Sequence, residues 1–373
     1  FMWGVATSAF QNEGGYGLTD WDYWPPYLES QSVHPGFSDA DIKLAKKLGI
    51  KYLRFSIEWA RVNRFPEKEL NRIYHRAATM KKYGIEPIPC FFHTTLPYEY
   101  DSLGGWRNDT LVELFAENAK RIALKLKPLK IKFWMTFNEP SVIISRGYID
   151  GHYPPGEKLS FIEGQKVLDN ILKAHKLAYY ALHDILDEKD FKIMVGISHY
   201  VTRYAPYLFW MSTFNSIDLN RIKDELDYVG LNYYGLTGIK LFSQGSALHF
   251  QNEIYPPGIY DLVKDFRKYG KPIIITENGV NDEKDSIRVP FIVDHLIWLH
   301  KAIKDPENAK APVIGYFYWT LFDNYEWDYL KMSHYGLIEV DSITKERKPR
   351  PSAYFYKRII EANGIANEMI DKN

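Results

Sequence analysis

Hydrophobic and polar positions along the chain alternate between two patterns: short runs of β-branched or aromatic residues, and longer stretches with apolar residues three or four positions apart. The short runs are typical of strands, and some are apolar at nearly every position, as in strands that a parallel sheet buries on both faces. Eight runs fit this pattern: Phe1–Ser8, Tyr52–Ile57, Ile85–Phe92, Ile131–Phe137, Lys192–Ser198, Tyr228–Tyr233, Pro272–Thr276 and Val313–Thr320.

Between these runs lie stretches with helical periodicity. Two of them begin with a capping box, a serine with an acidic residue three positions later: Ser38 with Asp41, and Ser160 with Glu163. The helices are expected over Ile42–Leu48, Leu70–Met80, Leu111–Leu126, Ser160 to about Leu186, Ile259–Tyr269, Val289–Ile303 and Ser352–Ile360. A further helix is due at Tyr204–Asp227, where neighbouring aromatic residues lack clean periodicity. This segment is either a helix, an aromatic loop over a pocket or a join where residues are absent.

Eight strands that alternate with helices predict an α/β protein with a single (β/α)8 TIM barrel over residues 1–373. Parallel strands need crossover connections, and the crossovers here are helical. No repeat, low-complexity tract or linker divides the chain. Active sites of such barrels lie at the carboxyl ends of the strands. Residues that directly follow the strand runs are therefore expected to carry the chemistry.

The charge balance excludes two classes of partner. The 47 basic and 47 acidic side chains give a net charge of +0, so nothing attracts the chain to nucleic acid or to an anionic membrane. No run of about 18 apolar residues is present, which predicts no membrane-spanning helix. Aromatic residues are abundant, with 28 Tyr, 21 Phe and 10 Trp. Beyond filling a core, such rings suit stacking on the apolar faces of sugars.

Cysteine usage and the start of the chain bear on localisation. Cys90 is the single cysteine, which rules out an internal disulfide and fits a reducing compartment. No signal peptide precedes the first strand run, so we expect a cytoplasmic protein. Because Phe1 already belongs to a strand-like run, we also expect residues to precede it in the full protein.

Two strand runs end in a glutamate beside an asparagine. Three consecutive isoleucines lead to Glu277 and Asn278, and the fourth run leads to Asn138 and Glu139 before a proline that cannot extend the strand. Taken alone, Glu277 is as compatible with a solvated loop position as with a catalytic one. Together, the two glutamates match what cleavage of a glycosidic bond requires, one carboxyl as acid and another as nucleophile or base.

Other polar residues lie within or directly after strand runs. Arg54 has apolar neighbours in the second run; turned inward it needs an anion such as Glu277, although a purely structural ion pair would also satisfy it. His93 ends the third run, where a neutral imidazole can bond a hydroxyl or be a satisfied core histidine. Asn232 and Tyr234 end the sixth run and face the same side, since they are two positions apart.

After the eighth run, two tryptophans flank acidic and amide side chains: Trp319, Asp323, Asn324, Glu326 and Trp327. Such a segment makes a poor surface loop and a good sugar subsite, since the rings stack on the sugar and the carboxylate accepts paired hydroxyls. No metal-binding spacing, phosphate-binding glycine loop or nucleophilic serine elbow occurs in the chain. The sequence therefore predicts neither a metal nor a cofactor.

The strand-end segments resemble those of the family 1 glycoside hydrolases, which include β-glucosidases and β-galactosidases, along essentially the whole chain. Six blocks carry the resemblance, in the family's order: Phe1–Gln11, Arg54–Trp59, Thr136–Pro140, Gly230–Tyr234, Thr276–Gly279 and Trp319–Trp327. The resemblance implies a retaining β-glycosidase. Its substrates would be terminal, non-reducing β-D-glycosides, those of glucose first and those of galactose or fucose as well, and it would act through a covalent glycosyl-enzyme intermediate.

The same resemblance assigns roles to residues. Glu139 would be the acid/base and Glu277 the nucleophile, with Arg54 and Tyr234 holding the nucleophile in its ionised form. A small-molecule β-glycoside or oligosaccharide would be the substrate, whereas the oligomeric state is not readable. The residues expected to bind the glycone are Gln11, His93, Asn138, Asn232, Trp319 as a platform, Glu326 and Trp327.

The chain departs from the family's pattern at the rim of the pocket. The family's usual Gln-Ile-Glu-Gly is Gln11–Gly14 with asparagine second, and its aromatic-Asp pair after the third strand is Thr94 and Thr95. A segment usual before the first helix is missing around His34–Ser38, and the stretch between strands five and six is short. These differences affect the expected leaving-group preference and leave the two glutamates untouched.

Three alternatives stay open at this stage. A catalytically silent sugar-binding protein on the same barrel would be expected to lose a glutamate, and both are kept. A transglycosylase shares the chemistry until the acceptor step. A phospho-glycosidase is disfavoured because relatives acting on 6-phosphorylated sugars replace the strand-eight glutamate, whereas Glu326 is present and its charge would repel a phosphate.

Overall fold

Eight parallel strands form a closed barrel in a computed structural model that describes residues 1–30, 33–204, 218–240, 249–366 and 369. The barrel strands are β1 Met2–Ala6, β2 Tyr52–Ser56, β3 Glu86–His93, β4 Phe133–Asn138, β5 Met194–Tyr200, β6 Tyr228–Asn232, β7 Ile273–Asn278 and β8 Val313–Trp319. Each strand pairs with its neighbours in the chain, and β1 pairs with β8 to close the ring. The predicted (β/α)8 architecture is confirmed.

Long helices surround the barrel. They are α1 Asp39–Lys47, α2 Pro66–Lys82, α3 Thr110–Leu126, α4 Phe161–Leu186, α5 Pro257–Phe266, α6 Arg288–Lys304 and α7 Pro351–Ala362. Both predicted capping boxes are present, at Ser38 before α1 and at Ser160 before α4. The apolar stripes of the helices pack on the outer faces of the strands and form the main core. No helix in the described ranges is long and apolar enough to cross a membrane.

The segment between β5 and β6 matches its expectation only in part. A 3-10 helix, Leu219–Glu225, precedes β6. Residues 205–217, which hold the aromatic run of the predicted helix or loop, lie outside the described residues. The sequence reasoning missed three short strands beyond the barrel ends, Arg203–Tyr204, Leu236–Lys240 and His249–Glu253, which form a separate sheet.

The barrel interior changes character along its axis. At the amino ends of the strands a buried apolar cluster fills the barrel: Met2, Ile88, Tyr228, Ile274 and Phe317. At the carboxyl ends the buried inward-facing side chains are polar: Arg54, Asn138, Asn232 and Glu277. A packed floor beneath a polar mouth is the layout in which barrel enzymes build their sites.

Candidate active site

Glu277, at the carboxyl end of β7, is buried and held at both carboxylate oxygens. The guanidinium of Arg54, from β2, donates to Oε1, and the hydroxyl of Tyr234, just after β6, donates to Oε2. The contact predicted between Arg54 and Glu277 is therefore present. A charged donor and a phenol hydroxyl on one carboxylate stabilise its negative charge.

An amide network joins this carboxylate to the end of β4. Arg54 donates from its second terminal nitrogen to Asn138 Oδ1 at 2.9 Å, and Asn232 Nδ2 donates to the same oxygen at 3.1 Å. The side-chain oxygen of Asn232 accepts hydrogen bonds from the hydroxyls of Ser198 and Thr276, at 2.7 and 2.8 Å. These two hydroxyls set the orientation of the Asn232 amide, so that its NH₂ group faces β4.

Glu139 directly follows β4 and accepts a second hydrogen bond from the NH₂ group of Asn232. Asn232 Nδ2 donates to Glu139 Oε1 at 2.7 Å. The Glu139 backbone has a left-handed conformation, with φ 50°, which costs a non-glycine residue ~1–2 kcal/mol. Its N–H donates to Ser198 O at 2.8 Å, and Pro140 follows it at the start of a short helix, so the local structure holds this conformation.

Burial and then the negative charge of Glu277 raise the pKa of Glu139 to about 8. The Asn232 hydrogen bond and the Arg54 charge act in the opposite direction but are the smaller effects. Glu139 is therefore mostly protonated at neutral pH. A protonated carboxyl close to a charged one is the arrangement that acid-assisted bond cleavage requires.

His93 and Trp319 lie together beside the amide network. Their rings are nearly parallel, with centroids 5.9 Å apart, and the Trp319 ring also faces the Arg54 guanidinium. Burial and then the Arg54 charge hold the pKa of His93 well below its ordinary value, so its imidazole is neutral. Its Nδ1 is buried and has no hydrogen-bond partner among the described residues, which leaves it available to a ligand hydroxyl.

Gln11, Glu326 and Trp327 form a second group, where the segments after β1 and β8 meet. Gln11 Nε2 donates to the backbone oxygen of Tyr325 at 2.8 Å, and its Oε1 is buried without a partner in the described part of the chain. The backbone N–H of Trp327 donates to Glu326 Oε1 at 3.0 Å. The Trp327 ring stacks on Phe10, with centroids 5.2 Å apart.

The burial of Glu326 bears on one sequence-based argument. Burial and then the Asp328 charge raise the pKa of Glu326 well above its ordinary value. Both causes disfavour the negative charge on which the expected repulsion of a phosphate depends. With or without that charge, the carboxyl can accept hydrogen bonds from sugar hydroxyls.

The eleven residues given a catalytic, supporting or sugar-binding role from the sequence lie within the barrel strands, as Arg54 does, or at their carboxyl ends and in the segments that follow. Sequence reasoning missed the aromatic rings that flank Tyr234: Tyr200 stacks on it at 6.4 Å, and Tyr335 meets it edge-on at 6.1 Å. It also missed the roles of Ser198 and Thr276, although both stood at the ends of predicted strands. Among the described residues, no cluster of acidic, His or Cys side chains could hold a metal ion.

Comparison with known proteins bears directly on this arrangement. The family model described as glycosyl hydrolase family 1 matches residues 1–208 and 239–365. Beta-glucosidase A of Acetivibrio thermocellus is 30% identical, and the match covers 98% of each chain. A chloroplastic β-glucosidase-like protein of Oryza sativa subsp. japonica is 31% identical over 88% of this chain, which spans only 56% of that relative.

A solved structure shares the fold over the whole chain. The β-glycosidase from Pyrococcus horikoshii superposes with a TM-score of 0.86 at 30% identity, covering 100% of this chain and 96% of that one. The likeness to β-glucosidases and β-glycosidases supports β-glycosidase activity. With the family model matched over most of the chain, the protein belongs to glycosyl hydrolase family 1 and is a glycoside hydrolase.

Proposed function

We propose that the protein is a retaining β-glycosidase that hydrolyses terminal, non-reducing β-D-glycosides through a covalent glycosyl-enzyme intermediate. Glucosides would be its first substrates, with galactosides and fucosides within its range. The observation that carries the proposal is the contrast between the two glutamates: Glu277 has Arg54 and Tyr234 on its oxygens, whereas the pKa of Glu139 is raised to about 8. One carboxyl is thus prepared to attack and the other to donate a proton.

In the first displacement, Glu277 attacks the anomeric carbon while Glu139 protonates the departing oxygen. The bond from the anomeric carbon to that oxygen breaks as the ester to Glu277 forms. Arg54 and Tyr234 keep the nucleophile oriented by hydrogen bonds to both of its carboxylate oxygens. The neutral leaving alcohol then departs through the open side of the pocket.

In the second displacement, Glu139 acts as a base. Ester formation removes the negative charge of Glu277, which is the second-largest cause of the raised Glu139 pKa. The pKa of Glu139 therefore falls once the intermediate has formed, and its carboxylate can take a proton from the attacking water. This alternation lets one residue serve both half-reactions.

The glycone would be held by polar groups that have hydrogen-bonding capacity left. The oxygen of Asn138 is occupied by Arg54 and Asn232. Its NH₂ group makes one contact, with His93 Nε2 at 3.3 Å, so its other N–H is left for a sugar hydroxyl. We assign it the 2-hydroxyl, since a contact there strengthens most in the transition state. The remaining hydroxyls would meet His93, Gln11, Glu326 and Trp327 above the Trp319 ring.

The test is a panel of aryl β-glycosides of glucose, galactose, fucose and mannose, plain and 6-phosphorylated, with the product anomer followed by NMR. We expect plain glycosides to be hydrolysed and the β-anomer to appear first. First appearance of the α-anomer would reject retention. Binding of sugars without turnover of any glycoside would instead indicate a silent sugar-binding protein.

A further inference from the structure

The end of β3, which carries His93, extends further than its pairing with β2. The two strands pair as far as Ser56 and Cys90, where the Ile57 N–H donates to the Cys90 carbonyl at 2.9 Å. On the opposite side β3 stays paired with β4 as far as His93 and Asn138. The backbone at His93 is thus paired on the β4 side, whereas on the β2 side the pairing ends three residues earlier.

A side-chain contact continues the connection to the β2 side. Glu58, two residues after β2, is only 1% exposed, and the Thr95 hydroxyl lies 3.1 Å from its Oε1 and 2.9 Å from its Oε2. Thr95 is buried too, and its N–H donates to the His93 carbonyl at 2.9 Å. One threonine therefore connects the carboxyl of Glu58 to the last residue of β3.

The turn after β3 is short and firmly attached beyond Thr95. Its first residue, Thr94, has a left-handed backbone with φ 73°. Leu96 then exchanges two hydrogen bonds with Asp20: its N–H donates to the carboxyl at 2.9 Å, and its carbonyl accepts from the Asp20 N–H at 2.9 Å. Between the strand and this attachment, the contact with Glu58 is the side-chain hydrogen bond that fixes the turn.

The carboxyl of Glu58 is buried at a cost in free energy that an apolar side chain would not have. Burial raises the pKa of Glu58 to about 7, against the opposing effects of the Arg61 charge and the Thr95 hydrogen bond. The contact does not depend on that proton, because a hydroxyl can donate to a charged or to a neutral carboxyl. Since apolar side chains could fill the same space at less cost, we relate the contact to the geometry that it sets.

The position of His93 decides what its imidazole can bind. The centroid of its ring is 5.9 Å from that of Trp319, and its Nε2 is 3.3 Å from the Asn138 amide nitrogen, so three groups of the proposed glycone site meet here. A displacement of about 1 Å can lower a rate on the order of a hundredfold. Residues that hold such a side chain in place therefore affect turnover without touching the substrate.

We propose that Glu58, acting through Thr95, is a positioning residue that holds His93 in place for a glycone hydroxyl. The inference rests on the proposed β-glycosidase activity, in which His93 binds the glycone. It goes beyond that activity by assigning a role to the contact between the ends of β2 and β3. Loss of the contact should weaken the hydrogen bond from the sugar to His93 and leave the two catalytic glutamates in place.

The test is a double-mutant cycle on kcat/KM for the 2,4-dinitrophenyl β-glycoside that the wild type cleaves best. That leaving group needs no proton, so weakened variants remain measurable and acid catalysis does not enter. Thr95→Val should lower kcat/KM about five- to tenfold, the effect of one weakened hydrogen bond. In a His93→Ala background the same substitution should change kcat/KM by less than about twofold, because the side chain that Thr95 positions is absent.

A paired variant, Glu58→Leu with Thr95→Val, separates activity from folding. Removing one partner leaves a buried polar group unsatisfied, whereas replacing both by apolar groups of similar shape is nearly neutral for stability. The paired variant should therefore stay folded and still lose activity as Thr95→Val does. Thr95→Ser, which keeps the hydroxyl, should stay within about twofold of wild type. A paired variant with wild-type kcat/KM, or equal losses from Thr95→Val with and without His93, would overturn the proposal.

Thr19→Val is the matched control. Thr19 is also buried, its hydroxyl donates to the Asp22 carboxylate at 2.9 Å, and its backbone is bridged to Pro97, close to the same turn. Because two backbone N–H groups also donate to that carboxylate oxygen, kcat/KM should stay within about twofold of wild type. A loss as large as that of Thr95→Val would mean that any loosening of this region lowers activity, which would overturn the positioning role. Wild-type protein inactive on every aryl β-glycoside would reject the proposed function itself.

Discussion

The ends of β4 and β7 carry the same residue type at the same place in the barrel, yet their surroundings are opposite. At β7, a guanidinium and a phenol hydroxyl both donate to Glu277. At β4, Glu139 has one amide donor among the described residues, at 2.7 Å, and a like charge nearby, and its pKa is raised to about 8. What distinguishes the two carboxyls is therefore supplied by other strands.

Arg54 contributes to this asymmetry through its different contacts at the two strand ends. It extends from β2 across the barrel and bonds Glu277 directly, whereas toward β4 it bonds the Asn138 oxygen. A cation in direct contact stabilises a carboxylate far more than one acting at a distance through a low-dielectric interior. The proposed division of roles between the two glutamates depends on this arrangement, which mutation can test from both sides.

The largest expected effect comes from the end of β7. Glu277→Ala should lower kcat/KM on aryl β-glycosides by at least about 10⁴-fold, because the covalent path is lost. Added azide should restore turnover by entering the vacated space, with the α-glycosyl azide as product. Glu277→Gln, which fills that space, is the control and should resist rescue. Activity within tenfold of wild type would reject the nucleophile assignment.

The end of β4 should respond differently. Glu139→Ala should cost about 10²–10⁴-fold on alkyl β-glycosides, the usual range for a lost general acid. The first step on 2,4-dinitrophenyl β-glycosides should suffer far less, because that leaving group needs no proton. Steady-state rates measure the loss on alkyl β-glycosides, and the burst of released phenolate measures the first step on the 2,4-dinitrophenyl β-glycosides. A loss of the same size on both substrate types would contradict the acid role.

The sequence alone predicted some of the features behind these contrasts and not others. The two glutamates were singled out because each follows a run of strand residues, and the structure has both at the carboxyl ends of strands, β4 and β7. The capping boxes at Ser38 and Ser160 located two helices closely. The Arg54–Glu277 contact followed from charge, since an inward arginine in a barrel needs an anion. Local pattern and simple electrostatics were sufficient for these features.

Other features depend on three-dimensional register. Ser198 and Thr276 orient the Asn232 amide only because β5, β6 and β7 are adjacent in a register that pairs Asn232 with Tyr200 and with Glu277, which no local pattern encodes. The raised pKa of Glu326 likewise depends on how completely the segment after β8 is buried. A sequence motif can identify such a residue but not its protonation state, because desolvation depends on how the pocket is packed.

A smaller effect than removal of either glutamate is expected from Arg54. Arg54→Met removes the charged donor of the buried Glu277 carboxylate and keeps the Tyr234 hydroxyl, and kcat/KM should fall about 10²–10³-fold, as when an electrostatic stabiliser is lost. Arg61→Met is the matched control, because Arg61 is also buried and paired, with Glu13 at 2.7 Å. Both variants should lose thermal stability, but only Arg54→Met should lose activity out of proportion to that loss.

The smallest effect concerns the one hydrogen bond that Glu139 receives from Asn232. That bond favours the ionised form and so lowers the Glu139 pKa; without it the pKa should rise. Since the acid must be protonated, kcat/KM in wild type should decline as the pH passes about 8, and in Asn232→Ala the decline should move to higher pH. A net hydrogen bond of ~0.5–1.5 kcal/mol corresponds to a shift of up to about one pH unit.

The decline of kcat/KM at high pH is the alkaline limb of the pH profile. Its position distinguishes two roles of Asn232. Loss of a sugar contact would lower kcat/KM at every pH and leave the limb in place, whereas loss of the Glu139 contact moves the limb. Ser198→Ala should produce a weaker shift in the same direction, because the amide keeps its NH₂ group but loses one of the two hydroxyls that orient it. A limb that stays fixed or moves to lower pH in Asn232→Ala would mean that Asn232 does not control the proton on Glu139. The difference between the two strand ends would then rest on burial and the Glu277 charge alone.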